Sequence, residues 1–158
     1  MAWISLLATL AGGVIAMSSA LLVERRKTQR ETAAEWRKTR RELYARFLAA
    51  HAQAGSDLRN IAATAGLDAG ERYRMTRTAY THCYASRHEL ELLAPHSVVR
   101  PAEECSRAVR MMRDAVSAGA RLDSDELEEL TQRYLELRLD TRSAMRADIS
   151  ADDDSGDD

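Results

Sequence analysis

A run of 22 residues without a single charge, Ala2 to Val23, constrains this chain more than any other feature. As a helix rising about 1.5 Å per residue it spans roughly 33 Å, enough for a hydrocarbon core of about 30 Å. Gly12 and Gly13 would weaken a helix in water but are ordinary in one that crosses a membrane, and Trp3 is placed for the outer interface. A secretory signal is the rival reading. It calls for a basic leading segment, a shorter apolar core and a small-x-small cleavage site. Nothing basic precedes this run, Glu24-Arg25-Arg26-Lys27 follows it directly, and a cut between Ala16 and Ala20 would truncate the apolar core. A retained anchor is therefore expected.

The charge pattern orients it. From Glu24 to Arg46 there are nine Lys/Arg and four Asp/Glu, a local balance of +5; from Asp148 to Asp158 there are six Asp and no base. The stretch between is close to neutral, with fourteen bases and fifteen acids. Bases on the far flank of the anchor place everything after Val23 in the cytoplasm of a bacterial plasma membrane, with the N-terminus outside. Arg25, Arg26, Lys27 and Arg30 are the candidates for anionic headgroup contact, each worth about 1 kcal/mol near the surface. Within the anchor, Ala8, Gly12, Ala16 and Ala20 recur every fourth residue. A face of such small residues lets two helices pack backbone to backbone, so self-association is expected there.

Beyond the anchor the periodicity is helical. β-branched residues are sparse, and the only prolines are Pro95 and Pro101. A first, heptad-like helix is expected from Thr28 to Ala65, with a coiled-coil-like stripe of Trp36, Leu43, Phe47, His51, Ala54, Leu58, Ile61 and Ala65. The segment Gly66 to Gly70 stops it. A second should run from Glu71 to Leu93 on Tyr73, Thr76, Tyr80, Cys83, Leu90 and Leu93, with Arg87 interrupting the stripe. A third should open at Ser97 as N-cap, keep Pro101 in its first turn and end at Gly119. Its stripe is Ala102, Cys105, Val109, Met112 and Val116. The fourth should open on Asp123 with Glu126 closing a capping box, and bury Leu127, Leu130, Tyr134, Leu137 and Met145 as far as Arg146.

Short turns make consecutive helices antiparallel neighbours. The expected fold is all-α: an N-terminal transmembrane helix followed by an antiparallel helical hairpin stack or irregular four-helix bundle. The expected domains are an anchor at 1–23, a cytoplasmic helical domain at 24–147 and a disordered acidic tail at 148–158. Ala, Met and Tyr fill much of a core short of larger aliphatic residues, so oligomerisation would help stability.

Catalytic patterns are missing from the sequence. No Glu has a His three residues later, so the di-iron bundle pattern fails, and His88-Glu89 is only the first half of a zincin motif. Of the four histidines, His82 and His88 are six apart and point in different directions on a helix; His51 and His96 stand alone. Cys83 and Cys105 fit two small buried residues in a hairpin better than a disulfide, which a cytoplasmic setting disfavours. There is no phosphate loop or nucleophile elbow. Glu103-Glu104 and Glu128-Glu129 read as solvated faces. The run Arg37-Lys38-Thr39-Arg40-Arg41 fits headgroups or solvent better than nucleic acid, since four acids lie among the bases from Glu24 to Arg46 and the run is tethered near the bilayer. No catalytic, cofactor-binding or metal-ligating residue is assigned.

The apolar opening helix, the Arg/Glu-rich run, the segment Arg40 to Ala50 and Leu92-Leu93-Ala94-Pro95 together resemble a loose group of small uncharacterised actinobacterial single-pass membrane proteins. An Arg-to-Lys ratio of 21 to 2 fits a high-GC genome. The resemblance implies tethering and a helical cytoplasmic bundle, and no activity. The expected function is a membrane-tethered interaction or scaffold module, not an enzyme, whose partners are membrane lipid, a second copy through the anchor and first helix, and another protein. The alternative is a small toxin-like or phage-encoded effector acting on the bilayer through an oligomerising anchor.

Overall fold

The computed structural model describes the backbone of residues 2–154 and the side chains of Lys27 and of residues 31–151. Four helices follow one another: α1 (Ala2–Ala63), α2 (Ala69–Leu93), α3 (His96–Ala118) and α4 (Asp125–Asp154). There is no strand among the described residues. Two compact units divide the chain between Lys38 and Thr39.

In the first unit the side chains from Glu31 to Trp36 are exposed. Trp36, expected to lead the buried stripe, is 43% exposed. Leu43 is the first fully buried residue of α1 among the described side chains. The expected anchor, Ala2 to Val23, has its side chains outside the described residues. Among those that are described, no helix is long and apolar enough to cross a membrane.

The second unit is a four-helix bundle. Gly66, at φ +82°, turns the chain after α1, and Asp68 caps α2 by accepting from the Glu71 amide at 2.8 Å. Gly119, at φ +112°, closes α3. Its amide donates to the Val116 carbonyl and that of Ala120 to Ala115, the pairing of a Schellman turn.

Helix α1 stops at Ala63 rather than Ala65 and α2 opens at Ala69 rather than Glu71, and three further ends differ from the sequence expectation. Helix α3 begins at His96 with Pro95 as its N-cap, so Ser97 is already helical and Pro101 lies in the second turn. The fixed φ of Pro95 starts the helix ahead of the expected serine cap. At the start of α4, Ser124 rather than Asp123 caps, its hydroxyl oxygen accepting from the Leu127 amide at 3.4 Å. At its end, α4 runs past Asp148, where disorder was expected to begin. The Asp148 carboxylate accepts from Tyr44 at 2.6 Å and from Arg40 at 3.1 Å, and Ile149 packs against the core. Partners on α1 thus hold a residue that composition alone assigns to a tail.

The core forms two adjoining clusters. Leu43, Tyr44 and Phe47 of α1 meet Leu90 of α2, Val98 and Ala102 of α3, and Met145 of α4. Ala54, Leu58 and Ile61 meet Tyr80 and Cys83, then Cys105 to Val116, then Leu127 to Leu137. The early part of α1 in the bundle is therefore level with the end of α2, the start of α3 and the end of α4. Each helix is antiparallel to the next. Each large apolar side chain so buried contributes about 1.5–3 kcal/mol.

Candidate functional site

The centre of the bundle is polar, and its two main members tie the helices together. His51 is fully buried on α1. Its Nδ1 lies 2.9 Å from the Phe47 carbonyl, an acceptor only, so Nδ1 carries the proton. Nε2, 2.8 Å from Ser106 Oγ, then accepts from that hydroxyl. The ring stacks on Phe47 with centroids 4.0 Å apart. Tyr134 of α4 donates to the His51 carbonyl at 3.1 Å, and Tyr80 of α2 donates to the Ser106 carbonyl at 3.2 Å. Burial pushes the His51 pKa down to about 4, against the pull of the Phe47 bond and with a smaller push from Arg87.

A serine beside a histidine suggests nucleophilic chemistry, but this pair has no access to a substrate. Ser106 is 2% exposed and His51 not at all. The nearby thiols are equally closed: Cys83 and Cys105 are free, buried, and pushed up to about 12, chiefly by burial. Cys83 donates weakly to the Ala50 carbonyl at 3.6 Å. Thiols this buried and this protonated are poor nucleophiles and poor ligands. Among the described residues no group of three or more His, Cys, Asp or Glu could hold a metal ion.

A large concave feature lies on the surface. A groove of about 1200 Å³ runs between α1 and α2. Its floor includes Ala49, Ala50, Ala79, Ala85 and Ser86, small side chains that leave the two backbones close to solvent. Charged and polar side chains line its walls beside the apolar Ile61 and Met75. Arg46 and Glu89 bridge one end at 3.2 Å, and Gln53 donates to Asp57 along α1 at 2.9 Å. Arg74 and Glu71 flank the other end, with His82 midway along α2. Both walls follow helical spacing: Arg46, Gln53, Asp57, Asn60 and Thr64 on α1 step by three, four or seven, as do Glu71, Met75, Thr78, His82 and Glu89 on α2. A shallow, small-floored trough between two helices has the shape that accepts a third helix.

The residues singled out in the sequence are scattered. His82 lines the groove, His88 pairs with Glu91 at 3.2 Å, and His96 lies in a smaller pocket beside α3 and α4 with Arg100 and Glu104. Glu103 stands 4.0 Å from Arg87, while Glu128 and Glu129 are exposed. Arg40, from the basic run, holds Asp148. The expected packing face Ala8, Gly12, Ala16 and Ala20 lies outside the residues whose side chains are described, as do Arg25, Arg26 and Arg30. Lys27 is exposed. Sequence reasoning missed the groove, although a second three-four pattern on α1, offset from the buried stripe, marks one of its walls.

No protein-family model matches the chain, and neither the curated proteins nor the solved structures compared with it give a match.

Proposed function

We propose that this protein is a membrane-tethered interaction module whose bundle receives a helix of a partner protein in the α1/α2 groove. The groove is the single observation that carries the reading: it is a helix-sized trough with small residues in its floor and charges along its walls. What surrounds it supports the same reading, because the buried polar groups are spent on joining helices and offer no reactive group to solvent. The tether is read from the sequence. The uncharged run Ala2 to Val23 holds the chain in the bilayer, and Arg25, Arg26, Lys27 and Arg30 keep the bundle on the cytoplasmic face.

A photo-crosslinking amino acid placed at Ala49 or Ala85 in the full chain, expressed in bacterial membranes, tests the groove. A discrete crosslinked protein band is expected from both positions and from neither Gln132 nor Ser143, exposed positions of α4 that do not line the groove. Equal labelling from all four positions, or none from any, overturns the reading. Alkaline carbonate extraction tests the tether separately: release of the chain into the supernatant would remove it.

A further inference from the structure

The charges on the groove walls restrict what can lie between them. Arg46 of α1 and Glu89 of α2 face each other at one end, each about half exposed. The cross-helix pairs Arg46–Glu89 and Cys83–Ala50 fix the antiparallel register of α1 and α2. In that register Arg74 of α2 is level with the turn from Arg59 to Ile61, within about one turn of Asp57. Each end of the groove therefore carries a base and an acid on opposite walls, with the order reversed: base on α1 at the first end, base on α2 at the second, where Glu71 adds a second acid level with the uncharged Ala63–Thr64 turn of α1. The two ends lie about 16–22 Å apart along the helices.

This pattern complements itself. Rotation by 180° about an axis running along the groove exchanges the positions of α1 and α2 without changing height. It lays α1 of a second copy against α2 of the first. Arg46 then meets Glu89 of the second copy, and Asp57 meets Arg74 of the second copy, each pair occurring twice as two-fold symmetry requires. His82 comes level with Gln53 of the second copy, so no like charges are opposed. The alanines on the floor let the two helix pairs approach closely. A two-fold axis across the helices would also bring opposite charges together, but it points the two copies of α1 in opposite directions. The axis along the groove is preferred because it leaves the Thr39 ends of both bundles on one side, which suits two chains held by their N-termini in one membrane, a step that rests on the tethered reading above.

We propose that the occupant of the groove is a second copy of this chain, docked about a two-fold axis parallel to the helices. The surface is an isologous interface, and its charge order sets the register and rejects partners lacking that order.

Charge exchange on the full chain in lipid nanodiscs tests this, with two differently tagged copies and co-purification as the readout. Wild-type copies co-purify. Arg46→Glu alone and Glu89→Arg alone each place four like charges at one end of the dimer and reduce self-association by at least about tenfold. Mixing the Arg46→Glu chain with the Glu89→Arg chain restores association to near the wild-type level, because every pair across that interface is then opposite in sign. Asp57→Arg mixed with Arg74→Asp behaves likewise at the other end. Arg46, Arg74 and Glu89 are exposed and Asp57 is half-buried at the surface, so each variant keeps its helical circular dichroism.

Single variants that associate as well as wild type place the interface elsewhere and overturn the proposal. A mixture that associates no better than its components does the same, since a role within one chain gains nothing from mixing. Crosslinks from Ala49 and Ala85 that land on a different protein overturn the second copy while leaving the interaction module intact; no crosslink at all removes both.

Discussion

His51 uses one ring nitrogen to donate to Phe47 and the other to accept from Ser106, in a site closed to solvent. A second ring proton would displace the Ser106 hydroxyl hydrogen from Nε2 and bury a charge. The folded protein therefore resists protonation down to about pH 4, whereas an unfolded chain takes up that proton near 6.5. Between those values the unfolded state binds more protons, so stability falls as the pH is lowered through this window and is fully present above it. The loss amounts to about 2 kcal/mol at pH 5 and approaches about 3 kcal/mol near pH 4. Urea unfolding of the full chain in detergent, followed by circular dichroism from pH 7.5 to 4.5, should show this decline. In His51→Gln the same interval should be nearly flat, on a lower baseline; an unchanged slope would assign the sensitivity to other groups. The two thiols give a second residue-scale prediction. With pKa values raised to about 12, Cys83 and Cys105 should resist iodoacetamide at pH 8 until denaturant is added, when both react together. Labelling of either in the folded chain would contradict the burial described.

At the scale of the element, α1 and α4 meet at a glycine. A Cβ built on Gly55 would lie 3.1 Å from Cε1 of Tyr134, whose hydroxyl is held by the His51 carbonyl. Gly55→Ala sets a gain in helix propensity of about 1 kcal/mol against a small shift of that ring, and should be near neutral. Gly55→Val adds bulk the ring cannot clear without breaking its hydrogen bond, and should cost about 1–3 kcal/mol in thermal unfolding. Stabilisation by the valine would show the interface to be looser than described. How far each helix could be read from sequence follows the same physics. The stripe of α3 was legible because Ala102, Cys105, Val109, Met112 and Val116 are apolar at helical spacing, and all five are buried. On α2 the buried face passes through Thr76 and Ser86, whose hydroxyls bond the Tyr73 and Cys83 carbonyls one turn back. Helical spacing placed Thr76 on that face, but nothing apolar marks Ser86, so Arg87 looked like an interruption when the stripe runs beside it. Tyr73 and Leu93, apolar by type, are exposed because they fall off that face. The groove was harder still. Its floor is alanine and its walls are the residues any solvated helix carries, so only the pairing of α1 with α2 turns two ordinary surfaces into a trough.

At the scale of the whole bundle, the fold closes by joining the start of the bundle segment of α1 to the end of α4. Asp148 sits between Arg40 and Tyr44, and the ion-paired side chains are only 13–14% exposed. A continued helix is out of character with this acidic end of the sequence, where repulsion among carboxylates opposes helix and the negative end of the helix dipole adds to it. The two α1 partners offset that repulsion and carry α4 past the point where composition would end it. Asp148→Asn keeps the side chain's shape and removes its charge, so it should release the last turn and a half of α4 while leaving the core untouched. Amide exchange should rise at least about tenfold for residues 147–151, equivalent to about 1.4 kcal/mol of lost local protection, with no change around Val109 or Tyr134. Tyr44→Phe should act in the same direction and more weakly, since Arg40 remains. High salt should mimic the charge removal only in part, because a pair this shielded is screened less than one in open water. Exchange that spreads through both core clusters would mean that the clamp holds the whole bundle. Exchange unchanged at every amide would mean that the apolar contact of Ile149 alone holds the end of α4.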